Sequence, residues 1–184
     1  DTARELVYDD PELTEQLLTK FVDLTQAMVT DIRRIVHGLR PPALDDVGLF
    51  GALTLLVNGF ATAHMQVIVA LPDAQPTLSA ALEVAIFRIV QEALTNISKH
   101  AHAQSASVTL AADDWQLFLT ICDDGVGVPS QPEMGMGLRS MRERAEELGG
   151  VLSVQPNEPT GSCVVAHFPL EPGGSNGTDS HPDL

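Results

Sequence analysis

The sequence predicts an α+β (α/β) domain, with helices and short strands sharing one aliphatic core and a long amphipathic helix ahead of it. Three observations lead there. The composition is 44% hydrophobic but only 4% aromatic, so the interior must be filled by Leu, Val, Ile and Ala. Apolar residues recur at spacings of three and four in three long stretches, the pattern of helices that bury one face. Between and after these stretches lie short apolar runs bounded by turn residues, which read as strands. At 184 residues the chain has room for one main domain and a small helical appendage.

In chain order, Asp9-Asp10-Pro11-Glu12 predicts a turn and a helix start, since proline is tolerated in the first turn and acids favour the positive end of the helix. Leu17, Phe21, Leu24, Met28, Ile32, Ile35 and Leu39 then form one stripe, which Gly38 and the Pro41-Pro42 pair bring to an end. The stripe suits a core helix of a single domain, and suits somewhat better one part of a helical bundle formed across a dimer. A second helical pattern follows Asp45 and Asp46, with Leu49, Leu53, Leu56 and Phe60 on one face, and residues 66–71 alternate weakly as a strand. The third helix, roughly Ser79 to Ala101, carries Leu82, Ile86, Ile89, Val90, Ala93 and Ile97 on a broad apolar face. Residues 106–111 and 116–122 predict two strands joined at Asp113-Asp114, a turn-forming pair. From Asp123 to Gly137 the chain is rich in Gly and Pro without periodicity and is expected as a loop of functional length. Residues 138–148 predict a helix ended by Gly149-Gly150, followed by strands at 151–155 and 163–170 around a turn at 156–161. Residues 173–184 are polar and Gly-rich and are expected to be disordered.

The formal net charge of −15 opposes nucleic acid as a partner, because that affinity comes mostly from Lys and Arg on phosphates. It disfavours an anionic membrane surface likewise. Arg139, Arg142 and Arg144 form a local reversal that suits a compact anion such as a nucleotide phosphate, or simply a solvated helix face. Cys122 and Cys163 sit in apolar stretches without CxxC spacing, so both are expected as core packing in a reduced, cytoplasmic compartment with no disulfide. No signal peptide opens the chain. The longest apolar run, 47–63, is interrupted by Gly48, Gly51, Asn58 and Gly59 and falls short of the ~20 residues a membrane span needs. A soluble chain is expected. Asp1 is not an initiator methionine, so the sequence reads as starting in mid-protein, and a membrane-anchored parent stays open.

Three stretches carry chemistry. On the third helix Glu92, Asn96 and Lys99 are four and three residues apart, which at about 100° per residue puts them in one strip. A carboxylate, an amide oxygen and an ammonium there can orient a hydroxyl, ligate Mg²⁺ and steady a phosphate; the same spacing is also common surface decoration. Asp123-Asp124-Gly125-Val126-Gly127 follows a predicted strand, where glycines let the backbone approach a planar ligand and a strand-end carboxylate can accept from an exocyclic amine. An ordinary acidic turn has the same composition. Gly135-Met136-Gly137-Leu138 leads into a helix with Arg139 and Arg142 in its first turns, which fits a backbone anion site, a glycine-hinged lid or a plain loop-to-helix junction.

In this order the three describe one nucleotide pocket. Residues 92–101 resemble the N box of the GHKL ATPases, residues 123–127 their first glycine box and residues 135–138 their second, while residues 39–49 resemble the linker of sensor histidine kinases of the nitrate-sensor and lipid-sensor branch. The resemblance covers roughly residues 3 to 170. It implies a two-layer sandwich of the Bergerat type, a mixed and mainly antiparallel sheet covered on one face by helices and preceded by one dimerisation helix. The implied organisation is a partial dimerisation domain at 1–40, a linker at 41–48, the ATP-binding catalytic domain at 49–171 and a tail at 172–184.

Residue by residue, the resemblance implies that Asn96 ligates Mg²⁺, that Glu92 orients the reacting groups and that Lys99 and His100 face phosphates. Asp123 would bind the adenine amino group, Gly125 and Gly127 would shape its pocket, and Gly135, Gly137 and Leu138 would form the ATP lid. Ser162 follows Gly161 where the family has Gly-Thr, and its hydroxyl can make the same hydrogen bond. ATP and Mg²⁺ are the implied cofactors. The implied partners are a phosphoacceptor histidine segment, a response regulator and, in the parent protein, a second copy in a homodimer. The departure lies in the phosphoacceptor: no His-Asp or His-Glu pair occurs in the sequence, and His37, followed by Gly38, is expected to pack or hydrogen-bond instead. His100 and His102 lack the further ligands of a zinc site; His64 and His167 are expected at element ends or on a strand face, and His181 in the tail. Two other readings share the motifs, a GHKL ATPase or anti-sigma-type serine kinase, and a non-catalytic interaction module.

Overall fold

The computed structural model describes residues 14, 18–20, 40–62, 65–127 and 135–170. The chain divides into two compact units, Asp1–Pro41 and Pro42–Leu184. In the first, Thr14 and residues 18–20 are helical. The rest of the predicted bundle helix with its stripe, His37, His64, residues 128–134 of the expected loop and the expected tail with His181 lie outside the described residues.

The second unit opens with helix α1 (Pro42–Phe60). Proline fits a first helical position because its missing N–H has no partner there in any case. Within α1, Gly48 takes φ 68° and ψ 178°, a left-handed excursion only glycine makes cheaply, so two helical pieces meet at a kink. The segment expected as a linker, 41–48, is therefore largely a short helical piece. Beyond the kink Leu49, Ala52, Leu53 and Val57 are buried. By length and composition alone this helix is apolar enough to cross a membrane, yet that face packs against helix α2 and strand β1.

Strand β1 (Gln66–Ala70) and helix α2 (Ala80–Asn96) follow. Ser79 caps α2 by accepting from the Leu82 N–H at 3.2 Å, and Glu83 lies in its first turn, both favourable at a helix N-terminus. The α-helix stops earlier than its apolar periodicity suggests. Residues Ile97–Ala101 form a π-helical turn, which His102 ends in a left-handed conformation.

Strands β2 (Ser105–Ala112), β3 (Gln116–Asp123), β4 (Val151–Pro156) and β5 (Ser162–Pro169) complete the sheet, with helix α3 (Met136–Glu146) between β3 and β4. The order is β1-β2-β3-β5-β4, with β1 parallel to β2 and the other neighbours antiparallel. The β2–β3 hairpin closes on Asp113, whose Oδ1 accepts from the N–H groups of Trp115 and Gln116 at 2.8 and 2.7 Å. Along β3 burial alternates, so that Leu117, Leu119, Ile121 and Asp123 share one face. This face, with Val108, Leu110, Ala166 and Phe168, meets Ile86, Ile89, Val90, Leu94 and Met141 of the helices in one core.

The other face overturns one expectation. Cys122 and Cys163 are not separate core side chains; they are directly opposed on β3 and β5 and joined as a disulfide, with Cα atoms 4.1 Å apart. Both are partly exposed, on the side away from the buried face. A spacing of 41 residues conceals the pairing from any local motif, because strand register alone brings the two together. The inference of a reduced compartment from unpaired cysteines loses its premise. On the same face His167 meets the Phe118 ring edge-on at a centroid distance of 5.0 Å.

Candidate functional site

The inward alternation of β3 ends on a charge. Asp123 is only 4% exposed, and a buried carboxylate is costly unless donors surround it. They are present. Its Oδ1 accepts from the Gly125 N–H at 2.9 Å and its Oδ2 from the Ser162 hydroxyl at 2.7 Å. These contacts use part of a carboxylate's four lone-pair sites, leaving acceptor capacity for a ligand. The backbone is held as well, since Asn157 Nδ2 donates to the Asp123 carbonyl at 2.8 Å.

The next residue works in another direction. Asp124 Oδ1 accepts from the N–H groups of Gln104 and Ser105 at 2.8 and 2.9 Å, and Oδ2 accepts from the Ser105 hydroxyl at 2.7 Å. These bonds, the Ser105 backbone N–H foremost, hold its carboxyl below the usual aspartate range. The Asp124 clamp thus ties the end of β3 to the start of β2. Behind it Val126 N–H donates to the Ala101 carbonyl at 2.9 Å, and a side chain at Gly125 would run into that same carbonyl. The glycine lets the loop lie directly on the π-turn.

The far wall comes from α2 and α3. Asn96 ends α2, and Gly135 caps α3. A Cβ on Gly137 would press on Glu92 Oε1 and come within 3.3 Å of Asn96 Nδ2, so the α3 start and the acidic strip of α2 are in close contact. Between these elements lies a cavity of about 500 Å³, within the range for small-molecule sites. Ala93, Ile97, Ile121, Met141, Val154 and Val164 give it apolar walls, and Asn96, His100, Asp123 and Ser162 give it polar corners. Such a slot can take a flat heteroaromatic ring with a hydrogen-bond donor aimed at Asp123 and direct the remainder of the ligand along α2.

Of the residues singled out from sequence, Asn96, His100, Asp123, Gly127, Gly135, Gly137, Leu138 and Ser162 line this one cavity. Glu92 stands beside it against Gly137, and Gly125 lies beneath it on Ala101. Lys99 is not brought in. It is exposed on the π-turn, where the wider winding keeps it from coming round to the azimuth of Asn96 as an α-helix would. Nor does any of Arg139, Arg142 and Arg144 line the cavity. Arg139 pairs with Glu143 at 2.8 Å, which raises its pKa, and Arg144 donates to the Ser140 hydroxyl at 2.7 Å. Among the described residues no cluster of three or more His, Cys, Asp or Glu could hold a metal ion by itself.

Sequence reasoning missed Asn157, Thr160, whose hydroxyl donates to the Asp124 carbonyl at 3.1 Å, and the apolar walls. For the walls a signal existed: stepping back two residues from Asp123 gives Ile121, and stepping on two from Ser162 gives Val164. Asn157 had none, because it reaches Asp123 across 34 positions of sequence.

The sequence model of the histidine kinase-, DNA gyrase B-, and HSP90-like ATPases matches residues 81–172. The chain is 32% identical over 167 residues to the sensor histidine kinase MctS of Rhizobium johnstonii, covering 88% of this chain and 35% of that protein. With the sensor histidine kinase LiaS of Bacillus subtilis the identity is 34% over 181 residues, 96% of this chain and 50% of the relative. The chain therefore spans half or less of the length of these relatives. Among solved structures, the histidine kinase domain of the blue-light activated kinase EL346 from Erythrobacter litoralis superimposes with a TM-score of 0.54 at 26% identity, covering 67% of this chain and 59% of that one.

Proposed function

Because the chain belongs to the histidine kinase-, DNA gyrase B-, and HSP90-like ATPase family, and is homologous to the catalytic domains of sensor histidine kinases, we propose that its cavity binds Mg²⁺-ATP and presents the γ-phosphoryl group to a histidine on another segment. The observation that carries this reading is that Asp123, at the end of β3, and Asn96, at the end of α2, open onto one cavity.

In this reading the adenine lies between Ile121, Met141, Val154 and Val164, and Asp123 accepts from its exocyclic amine. Ser162 and Gly125 hold the carboxylate still, so little reorganisation accompanies binding. The phosphates extend along α2 towards Asn96 and His100, where backbone N–H groups at the start of α3 offer an anion site. The donor set suits Mg²⁺, which takes most of its ligands from phosphates and water and needs few from protein; Asn96 would supply an amide oxygen, and Glu92 beside it would orient the reacting groups. The metal would neutralise charge building on the transferring phosphoryl. What the chain contributes is positioning and charge stabilisation as the bond to the β-phosphate oxygen breaks and a bond to imidazole nitrogen forms.

The phosphoryl group would pass on to an aspartate of a response regulator. The parent protein would act as a homodimer with this domain in the cytoplasm, whether or not it is anchored to a membrane. Calorimetry with a non-hydrolysable ATP analogue tests the first step: saturable binding that strengthens with Mg²⁺ is expected, and no binding overturns the proposal. Supplying a histidine-bearing dimerisation helix in trans with labelled ATP tests the second. Acid-labile label on that helix supports a histidine kinase, whereas acid-stable label on a serine moves the assignment to a serine kinase.

A further inference from the structure

Cys122 and Cys163 each adjoin one half of the hydrogen bond at the base of the cavity. Cys122 precedes Asp123, Cys163 follows Ser162, and Ser162 donates to Asp123 Oδ2 at 2.7 Å. Strand alternation sends the two pairs to opposite faces. The carboxylate and hydroxyl face the cavity, while Cys122 and Cys163, both partly exposed residues, lie on the other side of the sheet. A crosslink across these ends therefore acts on the ring-binding corner without touching a ligand.

A domain that uses ATP works where thiols are kept reduced, and there a disulfide is usually a transient or redox-sensing bond rather than a structural one. We propose that Cys122 and Cys163 are a reversible oxidation site whose state sets nucleotide affinity. The disulfide keeps Asp123 and Ser162 in register, and the dithiol lets the strand ends open. This rests on the nucleotide reading above. Opposed residues of antiparallel strands have Cα atoms about 4.5–5.5 Å apart, so at 4.1 Å the bonded pair sits closer than ordinary strand pairing brings such residues. The turn entering β5 moves with them: Asn157 bonds the Asp123 carbonyl, and Gly161 packs on that same oxygen.

The chemistry balances with a peroxide as oxidant. One thiol loses its proton and the thiolate sulfur attacks a peroxide oxygen; the O–O bond breaks, a sulfenic acid forms, and the departing hydroxide takes up the released proton to become water. The second thiolate attacks the sulfenic sulfur, the S–O bond breaks, and hydroxide leaves and is protonated to water as the S–S bond closes. Two thiols and one hydrogen peroxide give one disulfide and two waters. An external dithiol reverses this by exchange through a mixed disulfide and departs oxidised.

The test uses the intact chain with ADP as the probe, so that no turnover intervenes. Affinity is measured by calorimetry after treatment with dithiothreitol and after treatment with dilute hydrogen peroxide, and free thiols are counted by alkylation and mass spectrometry. Two alkylatable thiols are expected in the first state and none in the second, with ADP binding weakened about fivefold on reduction, the scale of one net hydrogen bond. The double variant Cys122→Val, Cys163→Val, which keeps a β-forming apolar pair, should bind like the reduced chain in both conditions. Equal, measurable affinity in both states of the parent chain overturns the switch, as do thiols that stay alkylatable after peroxide or a double variant that still responds. Absence of ADP binding in every state would instead overturn the nucleotide reading, and the switch with it.

Discussion

Ser162 Oγ and Asp123 Oδ2 lie 2.7 Å apart across the ends of β5 and β3, a hydroxyl fixing a buried carboxylate that opens onto the cavity. If Asp123 accepts from adenine, Asp123→Asn should lose a charge-assisted acceptor worth about 1.5–3 kcal/mol, or roughly tenfold or more in affinity for an ATP analogue. Ser162→Ala should cost less, about fivefold, because the carboxylate stays but is less well held. Unchanged calorimetric affinity in Asp123→Asn would take that residue out of the binding site.

Asn96 is expected to act through the metal rather than the ring. Asn96→Ala should remove most of the gain in ATP-analogue affinity that Mg²⁺ gives and leave metal-free ADP binding nearly as it was. Titrations with and without Mg²⁺ separate the two effects, and an equal loss in both would mean that Asn96 contributes to the cavity in another way.

Asn157 Nδ2 supports the Asp123 backbone at 2.8 Å. Asn157→Ala leaves a carbonyl without its partner and should lower stability by about 1 kcal/mol, read as a lower denaturant midpoint with unchanged slope. Nucleotide affinity should fall with it. A variant with full stability and full affinity would show that the turn does not buttress the site.

Two glycines give a matched pair. Gly161 has φ 104°, and a Cβ there would meet the Asp123 carbonyl, so Gly161→Ala should destabilise by roughly 1–3 kcal/mol through strain and displacement. Gly59, in helix α1, has no neighbouring atom within 4 Å of its Cβ position. Gly59→Ala should stabilise by up to about 1 kcal/mol. Thermal melting of the two variants should shift in opposite directions.

The Asp124 clamp makes a prediction about acid. Its carboxyl is held below the ordinary value near 3.9, so the folded chain binds that proton less readily than the unfolded one. Its stabilisation is therefore complete above about pH 4 and is lost as pH falls through the lower folded value. Asp124 is exposed, so the effect is modest and weakened by salt. Relative to the parent, Asp124→Asn should flatten the fall in melting temperature below about pH 4; parallel acid limbs would show that the clamp is not coupled to folding.

Much of this was legible locally. Helix α2 follows from the apolar spacing of Leu82, Ile86, Ile89, Val90 and Ala93, all buried, and β3 from the alternation that buries Leu117, Leu119 and Ile121. The acidic glycine loop and the Gly135–Leu138 junction stood out by composition, and both contribute residues to the cavity. The π-turn was hidden because Ile97 continues the α-helical spacing, while the backbone winding there depends on what packs against it. The kink at Gly48 was hidden for a similar reason: its sequence reads as a linker.

The sequence by itself determined which segments become helices and strands, which faces turn inward, and which residue types a phosphate and a flat ring would need. It could do so because periodicity, capping and turn chemistry act over a few neighbouring residues. Only the tertiary structure decided that Cys122 lies opposite Cys163, that Asn157 reaches Asp123, and that Lys99, exposed on the π-turn, is not among the residues lining the cavity. Each of those outcomes depends on strand register or helix winding, which are set by packing between segments far apart in the chain.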